Sequence, residues 1–382
     1  MPLYVARRRH PDPAGGAPAS GFDTGMTYTD SSVTGGITTI SGLQTFIDGV
    51  ADGSSSTNHR RILLGAGRTY TGSTGLNLNG RNHLTLEGGG TDATYGHTGG
   101  AAIACTGSGS SLSHSPIYTA TGGSQATDLR FHGLTVEGSS TVYATTSSYS
   151  AGNEYQMGFG FMGTAGALID HCIMQKVMGD GVYASDRASG SGTWSSDIVT
   201  QYSLIQNNGR MGIAIIACDR FRVSYTKFHD IALVPCDFEP NNNSQGGSDI
   251  QFDNNLITGN WSWSTAYNDP LFMVTSGVGF TDCTITGYYK ILNNTVTGSK
   301  YDNTGAPWIG PFHLTFGPTV KDAILTIDSN TCTAPTAGYI GLIGGWVNGG
   351  TVTNNTGFWT GSGTYFSTFE APNGTITYSG NT

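Results

Sequence analysis

Residues 223–257 read VSYTKFHDIALVPCDFEPNNNSQGGSDIQFDNNLI, and they hold one structural unit and the start of the next. Val223 stands five positions before Phe228, and Phe252 stands five before Ile257. The same apolar pair recurs upstream as Phe131 and Val136, Leu168 and Ile173, and Val199 and Leu204, and downstream as Ile291 and Val296. Val352 and Ile376 open weaker copies. Inside three copies the step between the apolar residues is an Asn pair: Asn254-Asn255, Asn293-Asn294 and Asn354-Asn355. A constant strand-turn-strand with inserts of changing length is the pattern of stacked coils. Each coil buries apolar side chains in a narrow core that it could not form alone. Identical amides at one position of successive coils can hydrogen-bond as a ladder.

Composition agrees with this reading. Glycine supplies 58 of 382 residues and charged residues only 11 %, too few for a coiled coil or a charged helical bundle. Aromatics reach 10 % and apolar residues recur throughout, which argues against disorder. The net charge of −9 counts against a nucleic-acid partner. No apolar run approaches the ~18 residues of a transmembrane helix. The first residues, MPLYVARRRHPDPAGGAPASG, carry arginines without a following apolar segment and do not read as a secretory signal. Cys105, Cys172, Cys218, Cys236, Cys283 and Cys332 show no CxxC pair, so we expect reduced core residues and no structural zinc site on them. The GxxxxGK[ST], HExxH and GxSxG motifs are absent.

The chain divides into an extended Pro/Gly/Ser/Thr-rich arm over residues 1–36, with Arg7, Arg8 and Arg9 near its start, and a β domain over 37–382. One helix is expected, at about 40–51: Ile40, Leu43, Phe46, Ile47 and Val50 share a face, and Ser41 is placed to cap its start. Beyond it, segments such as RILLGAGRTYTG, GLNLNG and HLTLEGGG alternate apolar with polar residues and stop at Gly or Asn, as short strands do.

The stretches RILLGAGRTYTGSTGLNLNGRNHLTLEGGGTDATY and NNGRMGIAIIACDRFRVSYTKFHDIALVPCDFEPNNNSQGGSDIQFDNNLITGN resemble the first and middle coils of the pectate-lyase-like superfamily. The resemblance covers about residues 37–382. It implies an all-β fold: a single-stranded, right-handed parallel β-helix, a solenoid with a short N-terminal capping helix. That superfamily includes polysaccharide lyases, glycoside hydrolases, epimerases and bacteriophage tailspikes, so fold alone does not fix activity.

Aligning the strands GVYASD (181–186), GIAIIA (212–217) and PCDFEP (235–240) turns Val182, Ala184, Ile213, Ile215, Cys236 and Phe238 inward. Tyr183, Ala214 and Asp237 form an outer column, and Ser185, Ile216 and Glu239 the next. Asp237 and Glu239 then share a solvent face ~6.6 Å apart along the strand. Two carboxyls so placed suit the acid and base of a glycosidase. Arg210 and Asp180, each just ahead of a neighbouring strand, extend the candidate catalytic group. The other reading of Asp237 and Glu239 is structural, a pair tied to Arg210 or Arg222 or to the turn at Asn241–Asn243. Tyr183, Trp261, Trp263 and Trp194 are candidate sugar-stacking residues, with Tyr267 beside them; the alternative is that the tryptophans pack beneath the insertion at 258–277. His229 and Asp230 are adjacent and point to opposite sides if extended, so a catalytic dyad is not expected.

A lyase would instead need a base and a cation to stabilise an enolate. Lys176, Arg187 and Arg210 are the candidates, with Ca2+ on Asp180 or Asp186 as a conditional cofactor; a hydrolase needs none. LIDHC at 168–172 resembles part of the pectate lyase WIDHC motif, with Leu168 in place of Trp and without an Arg-x-Pro-x-x-Arg partner, so Asp170 and His171 are expected to form an ordinary coil turn. The Asn-Thr-Asp, Asp-Asp and Gly-His-Gly set of polygalacturonases is also missing. Arg210, Arg220 and Arg222 could form a basic patch for an acidic glycan.

The last copy, GTITYSGNT, ends without a closing helix, and the arm has no core of its own. Both features suggest a covering partner. Together they resemble a bacteriophage minor tail protein or tailspike subunit. That resemblance implies a virion-attached homotrimer that contacts, and in the enzymatic case cleaves, host-surface polysaccharide, with the arm binding other tail proteins. The alternative is a free extracellular lyase or hydrolase, and a third is a β-helix with no site.

Overall fold

The computed structural model describes residues 27–32, 36–65, 67–93, 96–98, 100–120, 122–140, 151–188, 191–261, 272–274, 283–300, 312–314, 320–333, 341–343, 347–358, 366–368 and 374–382. Among these residues, short alternating segments form strands, and the strands gather into three large sheets of twelve, ten and ten strands, here called A, B and C. The chain visits them in rotation: Asn58–Leu63 lies in A, Thr69–Gly72 in B, Leu76–Asn77 in C, and Asn82–Glu87 returns to A. Each strand pairs in parallel with its counterpart one rotation away. This is the layout of a parallel β-helix. An antiparallel excursion, Thr91–Ala93 against Gly96–Thr98, interrupts it.

The core runs down the middle as register columns. In sheet A, Phe131, Ile169, Thr200, Val223, Phe252, Ile291, Ile327 and Val352 are successive partners. In sheet B the column is Val136, Met174, Ile205, Phe228, Ile257, Val296 and Cys332. Ring contacts between coils, such as Phe131 with Phe159 at 4.9 Å and Phe228 with Phe252 at 5.3 Å, tighten it. Two copies of the repeat are shifted from the sequence reading. Leu168 and Val199 pair with one another but share a register with Arg130 and Arg222, so the inward pairs are Ile169/Met174 and Thr200/Ile205. The five-residue spacing is the same in either frame, and a polar Thr200 at an inward position made the apolar neighbour look like the core residue. Ile376 is likewise partnered by Gly350, and Tyr378 by Val352.

The amide ladder forms. Nδ2 of Asn255 donates to Oδ1 of Asn294 at 3.0 Å, Asn294 to Asn330 at 2.9 Å, Asn330 to Asn355 at 2.8 Å and Asn355 to Asn381 at 2.9 Å. Each amide also donates to a backbone carbonyl of an adjacent strand, as Asn294 does to Phe252. The residue ahead of each rung turns the corner in the left-handed region: Asn254, Asn293, Ser329 and Asn354 have φ of 57°, 55°, 57° and 54°. Asn tolerates that conformation better than most residues, which accounts for the Asn pairs.

The expected helix spans Ile40–Asp48 and buries Ile40, Leu43 and Ile47 against the first coil. Its cap is Thr39, whose hydroxyl accepts from the Gly42 amide at 3.1 Å, and not Ser41, which already lies inside the first turn. Gln44 grips both backbone groups of Asn77, at 2.8 and 3.0 Å, and so satisfies an otherwise open edge of sheet C. Ahead of the helix, within the stretch read as an arm, Thr27–Ser32 adds a strand to sheet A alongside Asn58–Leu63. Arg7, Arg8 and Arg9 lie outside the described residues. All six cysteines are buried free thiols. No helix among the described residues is long and apolar enough to cross a membrane.

Candidate functional site

The strands Val182–Ser185, Ile213–Ile215 and Cys236–Phe238 stack in sheet C with Tyr183, Ala214 and Asp237 as register partners. The sequence alignment of these three coils holds residue for residue. Glycine brings the coils together at the entry to each strand. A Cβ on Gly181 would lie 2.6 Å from the Gly212 carbonyl oxygen, and one on Gly212 2.5 Å from that of Pro235. Asp180, the residue before Gly181, and Arg210, two before Gly212, are therefore held against one another.

Arg210 is the centre of the group. Its Nη1 donates to Oδ2 of Asp180 at 3.0 Å, its Nη2 lies 3.6 Å from Glu239 and its Nε 3.9 Å from Glu154. The Met211 amide donates to the other oxygen of Asp180 at 3.1 Å. Asp180 is fully buried, and burial raises its pKa to about 6, with Arg210 and the Met211 amide pulling it back. Burial also raises Glu239; Arg210 and a hydrogen bond with Asp237 oppose the shift. Burial of Tyr183 raises its phenol as well, and its ring packs on Met211, Ala214, Leu233 and Val234.

That packing corrects one expectation. Asp237 is expected on a solvent face, yet it is 0 % exposed, and its neighbour in the column, Ala214, is buried with Met211, Leu233 and Val234. Glu239 keeps partial exposure, at 26 % of its side chain, and so does Glu154, at 27 %. Glu154 was missed by sequence reasoning. It precedes Tyr155 in a turn outside the repeat, and no spacing rule connects it to Arg210.

Other candidates lie elsewhere. Trp194 donates to the Ser244 carbonyl at 2.8 Å at the entry to sheet A, beside Asp219 and Arg220. The Trp261 backbone sits in sheet B opposite Ile231. Trp263 and Tyr267 fall outside the described residues. Asp186 is buried and receives Ser185 and Gln245, and Lys176 pairs with Glu137 at 2.9 Å. The basic patch does not form: Arg220 grips Asp197 and Arg222 grips Asp253, each through two hydrogen bonds. His229 and Asp230 do meet, at 3.3 Å, because Asp230 adopts a left-handed φ of 54° that breaks strand alternation.

Two groups bring metal-binding atoms together. In one, His59 Nε2 and His83 Nδ1 approach Asp128 Oδ2 at 2.9 and 3.2 Å. In the other, His132 Nδ1 and His171 Nδ1 lie 3.1 and 2.9 Å from the two oxygens of Asp170. Burial pushes the Asp170 carboxyl up, but the His132 and His171 imidazoles beside it outweigh burial and hold it below the usual carboxylate range.

No protein-family model and no curated sequence matches the chain. Solved structures do. The catalytic unit of a thermostable GH87 alpha-1,3-glucanase from Streptomyces thermodiastaticus strain HF3-3 aligns over 96 % of this chain and 70 % of its own, at 13 % identity and a TM-score of 0.51. DFA-IIIase from Arthrobacter chlorophenolicus A6 aligns over 90 % of this chain and 84 % of its own, at 11 % identity and 0.51. Geobacillus virus E2 ORF18 aligns over 89 % and 57 %, at 13 % identity and 0.47. Likeness at these identities is likeness of fold: the chain is built as a parallel β-helix protein.

Proposed function

We propose that this protein acts on polysaccharide by hydrolysis at the group formed by Glu154, Asp180, Arg210, Asp237 and Glu239. The observation that carries this reading is the environment of Glu239. It is partly exposed and raised by burial, two residues along from fully buried Asp237, with Arg210 between it and Glu154. Carboxyls whose surroundings differ in this way divide into acid and base. Glu239 donates its proton to the departing glycosidic oxygen. Glu154 serves as base or nucleophile. Arg210 positions both, Asp180 orients Arg210 from behind, and Tyr183 offers its ring edge to the sugar.

Three carboxyls around one guanidinium, those of Glu154, Asp180 and Glu239, also repel a uronate, so the reading favours a neutral glycan over lyase chemistry, and no Ca2+ is required. We read the setting as a right-handed β-helix of a bacteriophage tail, a homotrimer meeting host-surface glycan. Tyr288 and Ile324 support an assembly: they are register partners, 51 % and 40 % exposed, on the outer face of sheet A. The test is release of reducing ends from neutral bacterial glycans by the full chain, with Glu239→Gln as control and light scattering for subunit number. Release by wild type and its loss in the variant support the reading. Unsaturated products would overturn it in favour of a lyase, and a monomer would favour a free enzyme.

A further inference from the structure

We propose that His132, Asp170 and His171 form a binding site for a divalent transition-metal ion, with Zn2+ the cation their donors suit. Two imidazole nitrogens and a carboxylate match the borderline-soft donor preference of zinc. The three donor atoms lie within 4.8 Å of one another without rearrangement.

Three features show a prepared arrangement. Asp170 is 2 % exposed and its Oδ1 also receives Gln201 Nε2 at 3.1 Å, an outer contact that fixes the carboxylate. The His171 ring stacks on Tyr202 at 5.4 Å, and Tyr202 on Tyr225 at 5.1 Å, which sets the plane of the imidazole. His171 has a φ of 56° at a corner where later coils place Asn254, Asn293 and Asn354. The next two coils fill the same corner with Tyr202 and Tyr225, at φ of 47° and 50°, so the three rings stand one above another on successive coils.

The second histidine-aspartate group is the useful contrast. There both imidazoles converge on one oxygen of Asp128, and Arg130 Nε lies 3.3 Å from the other, so a guanidinium opposes an entering cation. Asp170 is met instead by His132, His171 and Gln201, all of them able to be neutral. A cation on Asp170 would join the register partners His132 and Asp170 and clamp two adjacent strands of sheet A. It would stabilise the fold by binding the native state alone.

The test uses the full chain freed of metal by chelation and titrated with ZnCl2 in a calorimeter, then with Co2+ followed by its visible absorption. Beside it stand His132→Gln/His171→Asn and, as a control, His83→Asn. His171→Asn installs the residue that later coils carry at this corner, so the fold is preserved. Wild type should bind Zn2+ with a rise in unfolding midpoint of about 5 °C. The double variant should lose one equivalent, or more than about 100-fold in affinity, while His83→Asn retains it. Equal binding by wild type and double variant, or no binding by wild type, overturns the proposal. Should the double variant not fold, nitrogen NMR of the wild-type imidazoles decides: Zn2+ must move Nδ1 of both His132 and His171, and unmoved resonances overturn the proposal.

Discussion

Arg210 donates to the Asp180 carboxylate at 3.0 Å, and Asp180 has no exposed surface. Arg210→Ala should therefore cost about 3–5 kcal/mol in urea unfolding, because it leaves a carboxylate buried without its cation. The double change Arg210→Ala/Asp180→Asn should recover most of that loss. Additive losses would mean that the two side chains are energetically independent.

Stability should fall with rising pH in the mildly acidic range. Asp180 titrates at about 6 in the fold, against 3.8 as its ordinary value, so between these the folded chain holds a proton that the unfolded chain has released. The proton favours the fold at low pH, and this contribution is lost as pH climbs from about 4 to about 6, on the order of 2–3 kcal/mol. Unfolding midpoints followed across that range should show the decline in wild type and a flatter profile in Asp180→Asn.

Glu239 should set the basic limb of any activity. As an acid it must be protonated, so turnover of a neutral glycan should drop as pH rises through its elevated pKa. Glu239→Gln should lower kcat by about 10²–10⁴-fold and remove that limb while leaving the unfolding midpoint close to wild type. An unchanged pH profile in the variant would take Glu239 out of the reaction.

The two residues of each Asn pair should answer differently to mutation. Asn294→Ala removes the acceptor of the Asn255 backbone and side-chain amides and the donor to Phe252 and Asn330, so a loss of about 2–4 kcal/mol is expected. Asn293→Gly, at a φ of 55°, should stay within about 1 kcal/mol of wild type. Equal effects would contradict the division of labour between corner and rung.

The fold was legible because the repeat is written in paired positions. An apolar residue five ahead of another, with Asn in the fourth place, marks a coil even where the insert changes length. Ile327, Asn330 and Cys332 follow the same rule and complete the ladder, although Ser329 replaces the first Asn and hides the copy from a search for Asn-Asn. Spacing alone did not fix the frame at Leu168 and Val199, since a shift of one preserves it. At the candidate site, strand alternation was enough to align Tyr183, Ala214 and Asp237 and to set Asp180 and Arg210 nearby. It could not show that Asp237 is buried, because alternation fixes which side of the sheet a residue faces and not what packs on that side. Glu154, in a turn outside the repeat, carried no signal. The meeting of His132 with His171 was equally hidden, since 38 residues separate His132 from its partner Asp170 along the chain.

Asn255, Asn294, Asn330, Asn355 and Asn381 form a line of side chains each bonded to the next. Upstream, Asn255 Oδ1 accepts from the Thr226 amide and the Ser203 hydroxyl from the Cys172 amide, one bond onto each oxygen where Asn294 Oδ1 accepts two. Under tension along the stack, a pull on one Asn rung is passed to its neighbours through both a main-chain and a side-chain bond. The later coils then resist as one stiff segment, and the seam that yields first lies on the Ser203–Thr226 side. A rod gripped at its far end would transmit load to the coils carrying Arg210 before its own tip came apart.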